Sequence, residues 1–98
     1  MDIIKKLEGA QLTVILAGEL NTVTASELEE AIADDLKTIS SIVFDMTDLI
    51  FITSAGLRIL LFSQQELEGR GGVTVCGACR EIREVIEVTG FDTILSIE

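Results

Sequence analysis

Hydrophobic and polar residues alternate in two runs near the N-terminus. Ile3, Lys5 and Leu7 alternate with Ile4, Lys6 and Glu8, and Leu12, Val14 and Leu16 alternate with Thr13, Ile15 and Ala17. A period of two marks a strand with one buried face. Glu8-Gly9-Ala10-Gln11 supplies turn residues between the runs, so they predict a hairpin, and the lysines suit a sheet edge. Gly18 to Thr22 reads as a loop. The period then lengthens to that of a helix. Ala25, Leu28, Ile32 and Leu36 share one face, while Glu27, Glu29, Glu30, Asp34 and Asp35 lie largely elsewhere. Thr24 and Glu27 have the spacing of a capping box, and the helix is expected to run to about Lys37.

Ser40 to Asp45 predicts the central strand, apolar on successive residues as where both sheet faces are covered. A polar crossing, Met46-Thr47-Asp48, precedes Leu49-Ile50-Phe51-Ile52 and the small polar pair Thr53-Ser54. A second helix is expected from about Ala55 to Leu67, with Leu57, Leu60, Leu61, Gln64 and Leu67 on one face. Ile59 and Phe62 point away from that face, which requires either a second covering element or a protein-binding surface. Glycines at 69, 71 and 72 end this helix. Val73 to Cys76 reads as a strand, and Arg80 to Thr89 as a third helix with Ile82, Val85, Ile86 and Thr89 inward. Gly90 stops it, and Phe91 to Ile97 supplies a last short strand. The order ββαβαβαβ predicts a single α/β domain over residues 1–98. Its sheet is mixed and mostly parallel, with an N-terminal antiparallel hairpin, and about three helices back it.

Composition narrows the function classes. The 98 residues are 48% hydrophobic, enough for one core, and include no proline. Seventeen acidic and seven basic residues leave a net charge of −10. Such a surface repels nucleic-acid backbones and anionic membranes, and favours a protein partner with a basic face. Solubility is the plainer use of the same charge. The first residues lack the long apolar run of a secretory signal, and no window reaches the roughly 20 apolar residues of a membrane helix. A cytoplasmic location is therefore expected. Histidine is absent, which removes the commonest general base and metal ligand.

Four features could carry chemistry. Ser54 falls where the second helix begins. A hydroxyl there either caps free backbone N–H groups or offers a modification site, because a phosphate is favoured at a helix N-terminus. Cys76-Gly77-Ala78-Cys79 is a C-x-x-C, with Cys79 near the start of the third helix. It lacks the proline of redox versions and the four ligands of a zinc site, so structural cysteines are the favoured reading. Gly69-Arg70-Gly71-Gly72 follows a helix and precedes a strand, the reverse of a phosphate-cradling loop. Asp45 and Asp48 could hold magnesium, but such residues more often begin turns.

Thr47-Asp48-Leu49-Ile50-Phe51-Ile52-Thr53-Ser54-Ala55-Gly56-Leu57 resembles the signature of STAS domains, which include the bacterial anti-sigma factor antagonists. Ala17-Gly18-Glu19-Leu20-Asn21 is similar to the family's second landmark, and Gly71-Gly72-Val73 and Thr89-Gly90-Phe91 also look like the family. The resemblance spans essentially the whole chain. It implies a non-enzymatic protein without cofactor or metal that binds an anti-sigma factor, often a serine kinase. The kinase would phosphorylate Ser54 and release the antagonist, and a serine/threonine phosphatase would reverse this. The implied partner surface comprises Gly18, Glu19, Asn21, Thr53, Ser54, Ala55, Gly56 and Arg58. Two positions depart from the family: Thr53 and Asn21 each stand where an aspartate is usual. Phosphorylation of Ser54 and phosphorylation-independent binding therefore both stay open.

Overall fold

The computed structural model describes all 98 residues, Met1 to Glu98. The elements are β1 (Asp2–Glu8), β2 (Gln11–Leu20), α1 (Thr22–Ile32), β3 (Ser41–Ile52), α2 (Ser54–Glu66), β4 (Gly72–Cys76), α3 (Arg80–Val88) and β5 (Ser96–Ile97). The sheet order is β1-β2-β3-β4-β5, with β1 antiparallel to β2 and every other pair parallel. This is the expected single mixed-sheet α/β domain. No helix is long and apolar enough to cross a membrane.

Side chains on one sheet face are sealed. Leu12 pairs with Ile42 and Val14 with Phe44, these pair with Val73 and Val75, and all six are buried. Residues on the opposite face, Thr13, Ile15, Val43 and Thr74, remain partly exposed. The central strand is therefore covered on one face, not two. Its apolar run Ile42-Val43-Phe44 does not mark a doubly covered strand, because Val43 faces partly toward solvent. Lys5, expected to guard an edge, sits on the helix side of β1. Its Nζ donates to the Ala31 carbonyl at 2.6 Å and to the Asp35 carboxylate at 2.8 Å, placing a cation at the α1 C-terminus where the macrodipole favours one.

Several boundaries shift for local reasons. α1 begins earlier than expected because Asn21 caps it. Its Oδ1 accepts from the Val23 and Thr24 N–H groups, both at 3.0 Å, and the Thr24 hydroxyl accepts from the Asn21 N–H at 2.7 Å. The Thr24–Glu27 box is thereby replaced, and Gly18 to Leu20 belong to β2, not to a loop. The helix stops at Ile32, and a short 3-10 turn, Asp35–Lys37, brings Leu36 back into the core. On α2, Ile59 is buried, since α1 packs against this helix, whereas Phe62 stays partly exposed. On α3 only Ile82 and Ile86 point inward; Val85 and Thr89 do not. Phe91–Thr93 is a 3-10 turn, leaving β5 just two residues.

The largest difference lies in β3, which continues through the supposed polar crossing to Ile52. Ile15 pairs with Asp45 and Ala17 with Asp48; Gly18 pairs with Leu49 and Glu19 with Phe51. Each step gives β3 one residue more than β2, so it carries two bulges. Each bulge interrupts the alternation. Met46, Leu49 and Ile52 are buried, while Thr47-Asp48 and Ile50-Phe51 are exposed as consecutive pairs. A strand with burial every third residue cannot be read by a period-two rule.

Candidate functional site

The site forms at the C-terminal ends of β2 and β3, a common ligand-facing edge of parallel sheets. Leu20 and Ile52 are register partners, and the Thr53 N–H donates to the Leu20 carbonyl at 2.9 Å. The chain turns into α1 after Leu20 and into α2 after Thr53, so both helix N-termini lie side by side. The two sequence landmarks meet here.

The two helix starts differ. α1 is capped by Asn21, and the Thr24 hydroxyl also donates to the Glu19 carbonyl at 2.7 Å, which fixes the connection. α2 has Thr53 at the N-cap with no side-chain cap, and no acidic residue in its first turn. The Thr53 hydroxyl turns instead toward the Leu20 carbonyl, at 3.4 Å. Leu57 N–H returns to the Thr53 carbonyl at 3.0 Å, leaving the Ser54, Ala55 and Gly56 N–H groups as the unsatisfied first turn. Ser54 is therefore the first helical residue, not the cap. It is exposed, and no bond within the protein holds its hydroxyl. Free N–H groups, the positive end of the dipole and an unengaged hydroxyl coincide.

Gly56 lets α2 come this close. A Cβ there would lie 2.7 Å from Leu20 Cγ and 2.8 Å from Ile52 Cγ1. Arg58 is exposed one turn after Ser54 on the same side of the helix and joins none of the ion pairs, which are Lys5–Asp35, Lys37–Asp34 and Arg80–Glu84. Glu19 is exposed at the β2 end, and Ala55 is half-buried. Gly18 lies further back along β2, opposite Leu49 and beside Met1. Gly56 is buried and shapes the site from beneath.

The other candidates resolve differently. Asp45 does not begin a turn between elements but sits inside β3 at its first bulge, where its Oδ1 accepts from the Thr47 hydroxyl at 2.7 Å and the Thr47 N–H at 3.0 Å. These bonds, the hydroxyl's first, hold its carboxyl below the usual carboxylate range against the opposing effect of burial. No three His, Cys, Asp or Glu side chains converge on a point that could take a metal ion. Cys76 and Cys79 are unbridged thiols. Burial pushes the Cys76 thiol up, helped by the charges of Asp45 and Glu98, which is opposite to an activated thiolate. The Cys79 backbone provides the N-cap of α3, but its side chain caps nothing. Exposed apolar residues beside the site, Ile50, Phe51 and Val23, did not stand out in the sequence. The only signal was the run of four apolar residues from Leu49, too long for a half-buried strand to hide.

A family model described as STAS domain matches residues 3–98. BtrV of Bordetella bronchiseptica, assigned by name to the anti-sigma factor antagonists, is 33% identical over 94 residues, covering 94% of this chain and 80% of that protein. An anti-sigma factor antagonist from Mycobacterium paratuberculosis superposes with a TM-score of 0.88 at 27% identity, covering 98% of this chain and 83% of that one. The anti-sigma factor antagonist SpoIIAA in its unphosphorylated form superposes with a TM-score of 0.86 at 18% identity, covering 99% and 88%, a likeness of fold.

Proposed function

The chain belongs to the STAS domain family, and from that premise we propose that it is an anti-sigma factor antagonist switched off by phosphorylation of Ser54. It acts by binding. Its partner is an anti-sigma factor that is itself a serine kinase, and a serine/threonine phosphatase restores the hydroxyl. The observation that carries this reading is the exposed, unengaged Ser54 hydroxyl on the uncapped first turn of α2. A phosphate there adds roughly −1.5 to −2 charges where free N–H groups favour them, so the domain keeps its fold. A partner surface shaped for a neutral hydroxyl would have to desolvate that dianion, and binding weakens.

The test pairs the chain with candidate serine-kinase anti-sigma factors from the same genome, with ATP. One phosphate is expected on the wild type and none on Ser54→Ala. Ser54→Asp is expected to bind at least about tenfold more weakly, roughly 1.4 kcal/mol. Unchanged phosphorylation of Ser54→Ala would remove the site, and equal affinity of Ser54→Asp would remove the charge mechanism.

One observation favours a second reading, binding without phosphorylation. Thr53 and Asn21 put no carboxylate at the rim of Ser54, and both side chains are engaged locally. On that reading the wild type binds the anti-sigma factor and takes up no phosphate from it.

A further inference from the structure

We propose that the groove between the end of β3 and α3 docks a segment of the protein partner in which apolar side chains are flanked by lysine or arginine. This rests on the reading that the chain binds a protein through its Ser54 end, and it specifies the chemistry of that partner's contact.

The groove, about 120 Å³, is lined by Ile50, Phe51, Ile52, Glu81, Ile82 and Val85. A shallower dish continues along α3 through Val85 to Val88, with Glu81 and Glu84 on its rim. The apolar residues are open to solvent: Ile50 is 70% exposed, Phe51 49%, Val85 36% and Val88 87%. Four such side chains on one continuous surface are more than scattered exposure explains. Two come from the second β3 bulge, which turns consecutive residues outward where a regular strand would hide one. The β3 wall of the groove lies close to the switch in the chain, since only Ile52 and Thr53 separate Phe51 from Ser54.

Charge selects the occupant. The charged residues lining the groove and dish are Glu81 and Glu84. Arg80 reaches Glu84 at 3.3 Å, with both side chains largely exposed, so Glu81 keeps its charge unpaired. The other α3 cation, Arg83, lines a separate cleft with Glu87, Asp92 and Glu98. An acidic segment would be repelled here and a basic one drawn in. A second copy of this chain would bring a net charge of −10 against −10, which disfavours it. Elsewhere the exposed apolar side chains of β1, Ile4 and Leu7, are interleaved with Lys5 and Lys6, a pattern that protects an edge.

The experiment titrates candidate anti-sigma factors from the same genome against wild type, Val88→Lys, Glu81→Lys, Ser54→Asp and the remote control Ile4→Lys, at two salt concentrations. Circular dichroism checks each fold, and sedimentation checks self-association. Val88→Lys is expected to weaken binding by about tenfold or more. Glu81→Lys is expected to weaken it several-fold and flatten its salt dependence, with Ile4→Lys unchanged. If Ser54→Asp weakens binding while Val88→Lys and Glu81→Lys bind like wild type, the groove proposal is overturned and the Ser54 reading stands. Loss on Val88→Lys with the salt dependence intact in Glu81→Lys overturns the basic class of partner. Self-association abolished by Val88→Lys, with anti-sigma factor binding unaffected, assigns the groove to a second copy and overturns the proposal. If the wild type does not bind at all, the functional reading falls and takes the groove with it.

Discussion

The Thr53 N–H donates to the Leu20 carbonyl at 2.9 Å, and this bond ties together two landmarks that lie far apart in the chain. It follows the last register pair, Leu20 with Ile52, so the sheet itself sets where both helices begin. The position of Ser54 is thus governed by strand pairing more than by its own side chain.

Ser54→Ala is accordingly expected to leave stability within about 0.5 kcal/mol of wild type, since the hydroxyl caps nothing and is exposed. Urea denaturation measures this. A loss near the roughly 1 kcal/mol typical of a deleted N-cap would show that the serine is a cap after all.

Gly56→Ala sets two effects against each other. Alanine in a helix gains about 0.5–1 kcal/mol over glycine, but overpacking a filled core costs about 1–3 kcal/mol. The new methyl would meet Leu20 and Ile52 at under 3 Å, and both are buried. Overpacking therefore wins, and a net loss of about 1–2 kcal/mol is expected. Equal or greater stability in chemical denaturation would show that Leu20 yields easily.

Asn21→Ala should cost about 1 kcal/mol by removing the α1 cap. Asn21→Asp should match or exceed wild type, because the cap uses only an acceptor oxygen and a carboxylate also suits a helix N-terminus. The family's usual aspartate is thus replaced here without loss of the cap. Thermal melts of the two variants separate these outcomes, and a destabilised Asn21→Asp would contradict the acceptor-only role.

Asp45 titrates below the usual carboxylate range in the folded chain because Thr47 hydrogen-bonds its charged form. A lowered folded value means stabilisation that is present above the ordinary carboxylate range and lost as pH falls through the folded value. Asp45→Asn is expected to lower stability by less than about 1 kcal/mol near neutral pH, given partial solvent screening. The gap should close in acid, and a gap independent of pH in parallel denaturation series would refute the assignment.

For Cys76 the shift is upward, through burial first and then Asp45 and Glu98. Alkylation by iodoacetamide in the Cys79→Ser background should therefore run slower than for a free cysteine peptide, and quicken only above the ordinary thiol range. Rapid modification near neutral pH would revive a redox role for the C-x-x-C.

The sequence was easiest to read where one rule acted alone. Alternation in the two N-terminal runs predicts the β1–β2 hairpin, because a regular two-strand register keeps its period, and the structure buries the Leu12, Val14 and Leu16 set. Alternation fails in β3, where pairing with β2 inserts two bulges: the first, at Thr47-Asp48, looks polar enough for a loop, and the second, at Ile50-Phe51, breaks the alternation with two apolar residues. The Asn21 cap is hard to see in the sequence because Thr24, its reciprocal partner, also has capping-box spacing to Glu27. Helical period puts Val85 and Thr89 inward, but α3 buries only the narrow stripe of Ile82 and Ile86. The sequence puts Ser54 at the helix start, yet its lack of any capping bond depends on where Thr53 turns, which no local pattern encodes.

The bulges in β3 have a further consequence. Strike Thr47 and Ile50 from the chain, and Asp45, Met46, Asp48, Leu49, Phe51 and Ile52 fall into strict out-and-in order against an unchanged β2. The interior makes no demand for those two residues. They are surplus to the architecture, and what they add is entirely outward: a hydroxyl for Asp45 to hold, and a second greasy side chain beside Phe51 at the doorstep of Ser54.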